Sequence, residues 1–240
     1  MLLEIVVFDY NSGIKAAQLG ADRLELCDNH FEGGTTPSYG MVSKLREQLN
    51  IPLFPMIRPR GGDFLYSDVE IQVMLKEISF FKDLECEGVV LGCLRDNGAV
   101  DYENLCKLVE ASYPMQVTFH RAFDRVKNRS EALNDIYNAG CKRILTSGGF
   151  PSISEGLKQL KETVEEAQNK LIVVAGGGVV SSVLPKIISA GIKEVHSPAI
   201  KISTSLMKYT NAQMKESLDY ITIDENEMIK MKSILNSSTF

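Results

Sequence analysis

Eight short runs of β-branched and apolar residues, each followed by a longer stretch of helical period, constrain this chain more than any other feature. The runs are LEIVVF (3–8), RLEL (23–26), LFPMIR (53–58), GVVLG (88–92), QVTFH (116–120), RILT (143–146), LIVVAG (171–176) and EVHS (194–197). Parallel neighbours need a crossover long enough to hold a helix, so strands alternating with helices argue for a parallel sheet. Eight such units in 240 residues predict an α/β fold, a single-domain (β/α)8 TIM barrel over 1–240, with the tail from residue 200 onward carrying the weakest pattern.

The ends of the helices are written in side-chain chemistry. LGADRLEL, AGCKRILT and AGIKEVHS each place a glycine (Gly20, Gly140, Gly191) a few residues before a strand, where it supplies a left-handed helix C-cap. SDVE (67–70) and SISE (152–155) read as capping boxes, in which serine and glutamate satisfy orphan backbone N–H groups. Thr36 before Pro37 reads as a further helix start, and Pro185 suits a first helical turn.

Composition excludes several functions. The net charge is -5, from 26 basic and 31 acidic side chains, so the chain lacks the basic face with which a nucleic-acid binder displaces counterions. Its apolar runs fall far short of the ~20 residues of a membrane helix, which argues against a membrane partner. Five cysteines without a CxxC pair fit a reducing cytoplasm rather than a disulfide framework.

In a parallel barrel the outer strand face packs on helices and is apolar, so polar residues at alternating positions turn inward or to the mouth. Parity then aims Glu4, Glu25, Arg58, His120 and His196 at the interior, and enzymes of this fold work at the C-terminal ends of the strands. In TFHRAFD (118–124), His120 is a candidate acid–base group beside Glu4 and Glu25; the alternative is a structural histidine bonded to one of those glutamates. Arg121 and Asp124 belong to the rim. Arg58, Arg60 and Asp63 of IRPRGGDF form a candidate anion-holding loop, because guanidinium forks suit carboxylate and phosphate. Ser147 and Gly148 of TSGGF, Gly176 and Gly177 of AGGGV, and His196 and Ser197 of HSPA are candidate ligand-binding positions, with backbone N–H groups cradling a phosphate. For a metal, Cys27 and His30 of CDNH, with Cys93 after the fourth strand, offer soft donors for Cu(I) or zinc.

LLEI, GADRLELC, EGGTTPS, IRPRGGDFLYSD, VTFHRAFD, ILTSGG, AGGGV and EVHS run in order from residue 2 to 197, and together they resemble the CutC family, named for copper homeostasis. The resemblance implies a TIM-barrel-type fold and a cytoplasmic protein taking part in copper homeostasis, with Cu(I) binding suggested for some members of the family. It places Glu4, Glu25, Cys27, Arg58, Arg60, Asp63, His120, Arg121, Asp124, Ser147, Gly148, His196 and Ser197 at matching motif positions. Two functions therefore stand side by side. One is a copper-homeostasis protein holding Cu(I) at Cys27. The other is an enzyme doing acid–base chemistry on a small anionic or phosphorylated metabolite. A second copy of the chain is a further partner open to either.

Overall fold

The computed structural model describes residues 1–237. Eight parallel strands, β1 (Leu2–Val7), β2 (Arg23–Leu26), β3 (Leu53–Pro55), β4 (Gly88–Leu91), β5 (Gln116–Phe119), β6 (Arg143–Thr146), β7 (Ile172–Ala175) and β8 (Glu194–Ser197), lie in the order β3-β2-β1-β8-β7-β6-β5-β4. Just beyond β3, a bridge between Met56 and Val90 and an Ile57 N–H bond to Val90 O (2.7 Å) bring it against β4. The result is a nearly closed (β/α)8 barrel, as the run count predicts.

Strand parity sorts the apolar side chains into two layers. Leu3, Ile5, Val7, Leu24 and Leu26 join the large outer core beneath the helices, whereas Val6, Cys27, Phe54, Met56 and Val90 form a small separate inner cluster. The outer layer is continuous because each helix, from α1 (Tyr10–Gln18) through α2 (Tyr39–Gln48), α3 (Asp68–Asp83), α4 (Tyr102–Ser112), α5 (Arg129–Asn138), α6 (Ile153–Ala167) and α7 (Leu184–Ser189), turns an apolar stripe inward.

Not every expected helix signal works as written. Ser67 and Glu70 form the full capping box of α3, and Pro185 lies in the first turn of α7. Gly20, Gly140 and Gly191 take φ of +89°, +98° and +80°, as left-handed caps require. At α6, however, Ser152 donates to Glu155 (2.6 Å) and caps no backbone N–H. Thr36 starts no helix, since α2 is capped by Ser38. Instead its N–H bonds to Arg58 O (3.0 Å) and its hydroxyl accepts from Arg58 N–H (2.9 Å), stitching the β2 and β3 loops together.

The eighth unit departs from the repeat. No helix directly follows β8. The chain forms an antiparallel hairpin, β9 (Ile200–Ser203) with β10 (Tyr220–Ile223), and only then α8 (Glu225–Ser237), which buries Met228, Met231 and Leu235. No helix of the described residues is long and apolar enough to cross a membrane.

Replacing Ser67 by alanine is expected to lower unfolding free energy by about 1 kcal/mol, the usual worth of an N-cap hydroxyl. Urea denaturation of Ser67→Ala against the parent chain measures it.

Candidate functional site

The interior of the barrel is charged from its lower end upward. Arg143 on β6 bonds through Nη1 to Gln116 Oε1 (2.5 Å) and through Nε to Glu194 Oε2 (3.1 Å). Arg23 on β2 bridges Glu194 (2.7 Å) and Glu4 on β1 (2.5 Å). Both guanidiniums lie over the Phe54 ring, 4.9 and 5.5 Å from its centroid, adding cation–π attraction to ion pairing. Above them Glu4 Oε1 pairs with His196 Nδ1 at 2.8 Å, and Glu25 Oε2 lies 3.4 Å from the same nitrogen.

The two glutamates differ sharply. Burial alone would raise the Glu4 carboxyl, but Arg23 beside it and the His196 hydrogen bond hold it at about 2. Glu25 lacks an arginine contact, so burial pushes it up to about 7 against the pull of His196. His196 itself is raised, because the neighbouring Glu25 and Glu4 outweigh its burial. Glu25 Oε1 accepts from the Cys27 thiol (3.3 Å), while Oε2 has no hydrogen-bond partner.

Glu25, Cys27 and His196 line a cavity of about 200 Å³ at the C-terminal mouth, together with Arg58, Phe64 and His120. His120 is not the histidine that bonds a glutamate; His196 is. The His120 Nδ1 accepts from the Ala122 N–H (3.2 Å), so its proton is on Nε2, a buried atom with no partner among the described residues. Burial and the positive Arg58 lower its pKa to about 3. It is therefore a neutral hydrogen-bond donor at physiological pH rather than a base. Arg58 donates to three backbone carbonyls, Glu32 (2.6 Å), Gly34 (2.8 Å) and Gly62 (2.8 Å), and has no carboxylate partner among the described residues. Its charge is left to act on the cavity.

Several expected ligand positions have other work. Arg60 turns away from the cavity to pair with Asp63 (2.9 Å) and Glu70 (2.5 Å). The loop after β6 is an anion cradle as expected, but its anion is internal: Asp124 accepts from Ser147 N–H (3.1 Å), Gly149 N–H (2.9 Å), Thr146 Oγ1 (2.5 Å) and Arg121 Nε (2.7 Å). Gly148 N–H bonds to Thr146 Oγ1, and Gly148 is required because a Cβ there would stand 2.3 Å from Gly156 O. Ser197 is fully buried, donating to Val179 O and accepting from Ala199 N–H. Gly176 is filled by neighbours, a Cβ there meeting Leu145 at 2.5 Å, whereas Gly177 borders the cavity.

The soft donors do not assemble. Cys27 and His30 both border the cavity, but Cys93 belongs to the outer core, where its thiol faces Asp101 O (3.6 Å). Burial, then the adjacent Glu25, push the Cys27 thiol well above its ordinary value, which disfavours the thiolate a soft metal requires. Among the described residues one group of three metal-ligating side chains converges, Glu4, Glu25 and His196, with donor atoms within 4.8 Å. Those are hard oxygen and imidazole donors, a poor match to Cu(I).

Sequence reasoning missed two groups that shape this site. Phe64 stacks on His120 (4.7 Å between centroids) and under Arg58 (4.9 Å), and Arg143 completes the buried charge network. An arginine at an inward position of β6 was the available signal for the second.

A parallel (β/α)8 barrel with buried acid, imidazole and guanidinium groups around a mouth cavity belongs to the class of TIM-barrel proteins. Within that class the chain is a member of the CutC family, whose sequence model matches residues 1–201. It is 43% identical to the family protein CutC of Enterobacter sp. (strain 638) over 219 residues, 91% of this chain and 88% of that protein. A human protein named copper homeostasis protein cutC homolog is 42% identical over 214 residues, 89% of this chain and 78% of its own length. The crystal structure of CutC from Streptococcus agalactiae superposes with a TM-score of 0.79 at 32% identity, covering 82% of this chain and 98% of that one.

Asp124→Ala strips one acceptor from five donors, the Ser147 hydroxyl (2.9 Å) being the fifth. It is expected to cost about 3 kcal/mol, since each abandoned buried donor loses its compensation; urea denaturation reads the loss.

Proposed function

We propose that this chain is an enzyme that moves a proton on a small anionic metabolite, with Glu25 as acid–base group. One observation carries the reading: Glu25 and His120 line one cavity, and each carries a buried polar atom, Oε2 and Nε2, without a hydrogen-bond partner. Native proteins rarely leave such atoms unsatisfied, so a ligand with an acidic C–H and an acceptor oxygen is the natural complement. Glu25 takes a proton from the carbon beside a carbonyl. The electron pair moves onto the carbonyl oxygen, where the His120 N–H and the charge of Arg58 hold it, as a neutral histidine suits. Where the first carbon carries a hydroxyl, that hydroxyl passes its proton to the enolate oxygen and becomes the new carbonyl as Glu25 returns its proton to the former carbonyl carbon, so the step is an isomerisation needing no second reactant.

Glu4 and His196 are positioning residues in this scheme. Arg23 keeps Glu4 ionised, Glu4 fixes His196, and His196 sets how readily Glu25 gives up its proton. The five free cysteines suit a reducing compartment, and we assign the chain to the cytoplasm on that ground.

A ligand found by thermal-shift screening of sugar phosphates and organic acids should exchange a carbon-bound proton with D2O on the wild-type chain. Glu25→Gln should retain binding but exchange at least ~100-fold more slowly, the usual worth of a positioned base. The base form of Glu25 is the active one, so the rate should climb with pH through about 7. Undiminished exchange by Glu25→Gln sinks the reading.

Copper binding is a second reading, favoured by the human relative's name and by the presence of Cys27 and His30 at one cavity. In it Cu(I) is cargo and the Cys27 proton must leave on binding. Anaerobic Cu(I) titration of wild type and Cys27→Ala tests it. Weaker binding by the variant supports the reading, and equal binding removes it.

A further inference from the structure

A second cleft of about 530 Å³ adjoins the inner cavity, with Gly33, Arg58, Phe64 and Arg121 lining both. Its far wall adds Arg125 and Phe150. Arg121 and Arg125 stand at either end of the 3-10 turn that follows β5. Arg121 donates through Nε to Asp124 and through Nη2 to Ser147 Oγ and Phe150 O, which holds its plane while Nη1 keeps no partner among the described residues. Arg125 is exposed and has neither an ion pair nor a side-chain hydrogen bond among them. Two carboxylates border the cleft, Asp124 and Glu32. Asp124 divides its charge among five donors, Arg121 among them, so it offsets Arg121 only in part. Three guanidiniums thus gather at one opening of a chain whose net charge is -5, and nothing internal neutralises them in full.

The backbone places where this fold usually takes phosphate do not serve the outer cleft. The Gly177–Gly178 turn after β7 borders the inner cavity and not this cleft, β8 runs into a hairpin, and the N–H cradle after β6 already holds Asp124. In the outer cleft an anion is met by side chains: Arg125 has no carboxylate partner among the described residues, and Arg121, though paired with Asp124 through Nε, keeps Nη1 unengaged.

We propose that this outer cleft is a phosphate subsite and that the substrate is a phosphorylated metabolite, its phosphate held by Arg121 and Arg125 and its other end reaching Glu25. The assignment of the inner end rests on the acid–base reading; the subsite stands on the arginines alone. A dianionic phosphate with three acceptor oxygens can bond both guanidiniums at once, which a monocarboxylate does less well.

The test is titration of the full chain with inorganic phosphate at constant ionic strength, followed by thermal shift and by NMR, with acetate as the monoanion control. Wild type should saturate with phosphate and bind acetate at least tenfold more weakly. Arg125→Gln should weaken phosphate at least tenfold. Lys170→Gln removes one charge just before β7, at the opposite end of the barrel, and should leave phosphate binding unchanged, as should Glu25→Gln. Absence of saturation in the wild type, equal binding by Arg125→Gln, an equal loss in Lys170→Gln, or equal affinity for acetate overturns the subsite. The two readings fail separately: deuterium exchange reports on Glu25, whereas phosphate affinity reports on Arg125.

Discussion

Arg23 is the buried cation on which the barrel interior depends. It lies 2% exposed, takes a carboxylate from each of β1 and β8, and rests on Phe54. Three carboxylates, Glu4, Glu25 and Glu194, share the interior with two guanidiniums, Arg23 and Arg143. One negative charge remains to be balanced in a medium that penalises every unpaired ion. His196 lies between Glu4 and Glu25, whose carboxylates raise its affinity for protons, while burial pushes Glu25 up to about 7. The ready protonation of Glu25 is thus a consequence of its burial, against the pull of His196.

The same economy of charge separates the residues of TFHRAFD. His120 enters the cavity as a fixed neutral donor, Arg121 spans the cavity and the outer cleft, and Asp124 occupies the cradle made by the next loop. A loop that looks built for phosphate is thereby closed by a carboxylate from its own chain, and it becomes a rigid wall. The rigidity serves the neighbour, since Ser147 and Phe150 orient the guanidinium of Arg121.

The chemistry of the site and the name of the family point in different directions. Cu(I) prefers thiolates, yet the one thiol at the cavity hydrogen-bonds a carboxylate that resists its ionisation. The groups that converge are oxygen and nitrogen donors already engaged by protons and arginines. The proposed proton transfer uses them as they stand, without displacing the ion pairs that stabilise the barrel.

Much of this protein is legible in its sequence. Eight apolar runs with intervening helices suffice for the barrel, because strand length and crossover length leave few other arrangements, and period-two alternation aims Glu4, Glu25 and His196 inward. The hairpin after β8 was not legible, since β9 and β10 are short and only Ile223 among their residues is buried, erasing alternation. Partnership was not legible either. Parity says that His120 and His196 both face the mouth, but only the stagger of β1 against β8 sets His196 beside Glu4. That stagger leaves His120 to bond a backbone amide, and only the folding of one loop over another delivers Asp124 to the Ser147 and Gly149 amides. Sequence determines which chemical groups the barrel mouth receives. The tertiary structure decides which of them neutralise each other, because pairing depends on distances of a few ångströms between strands far apart in the chain.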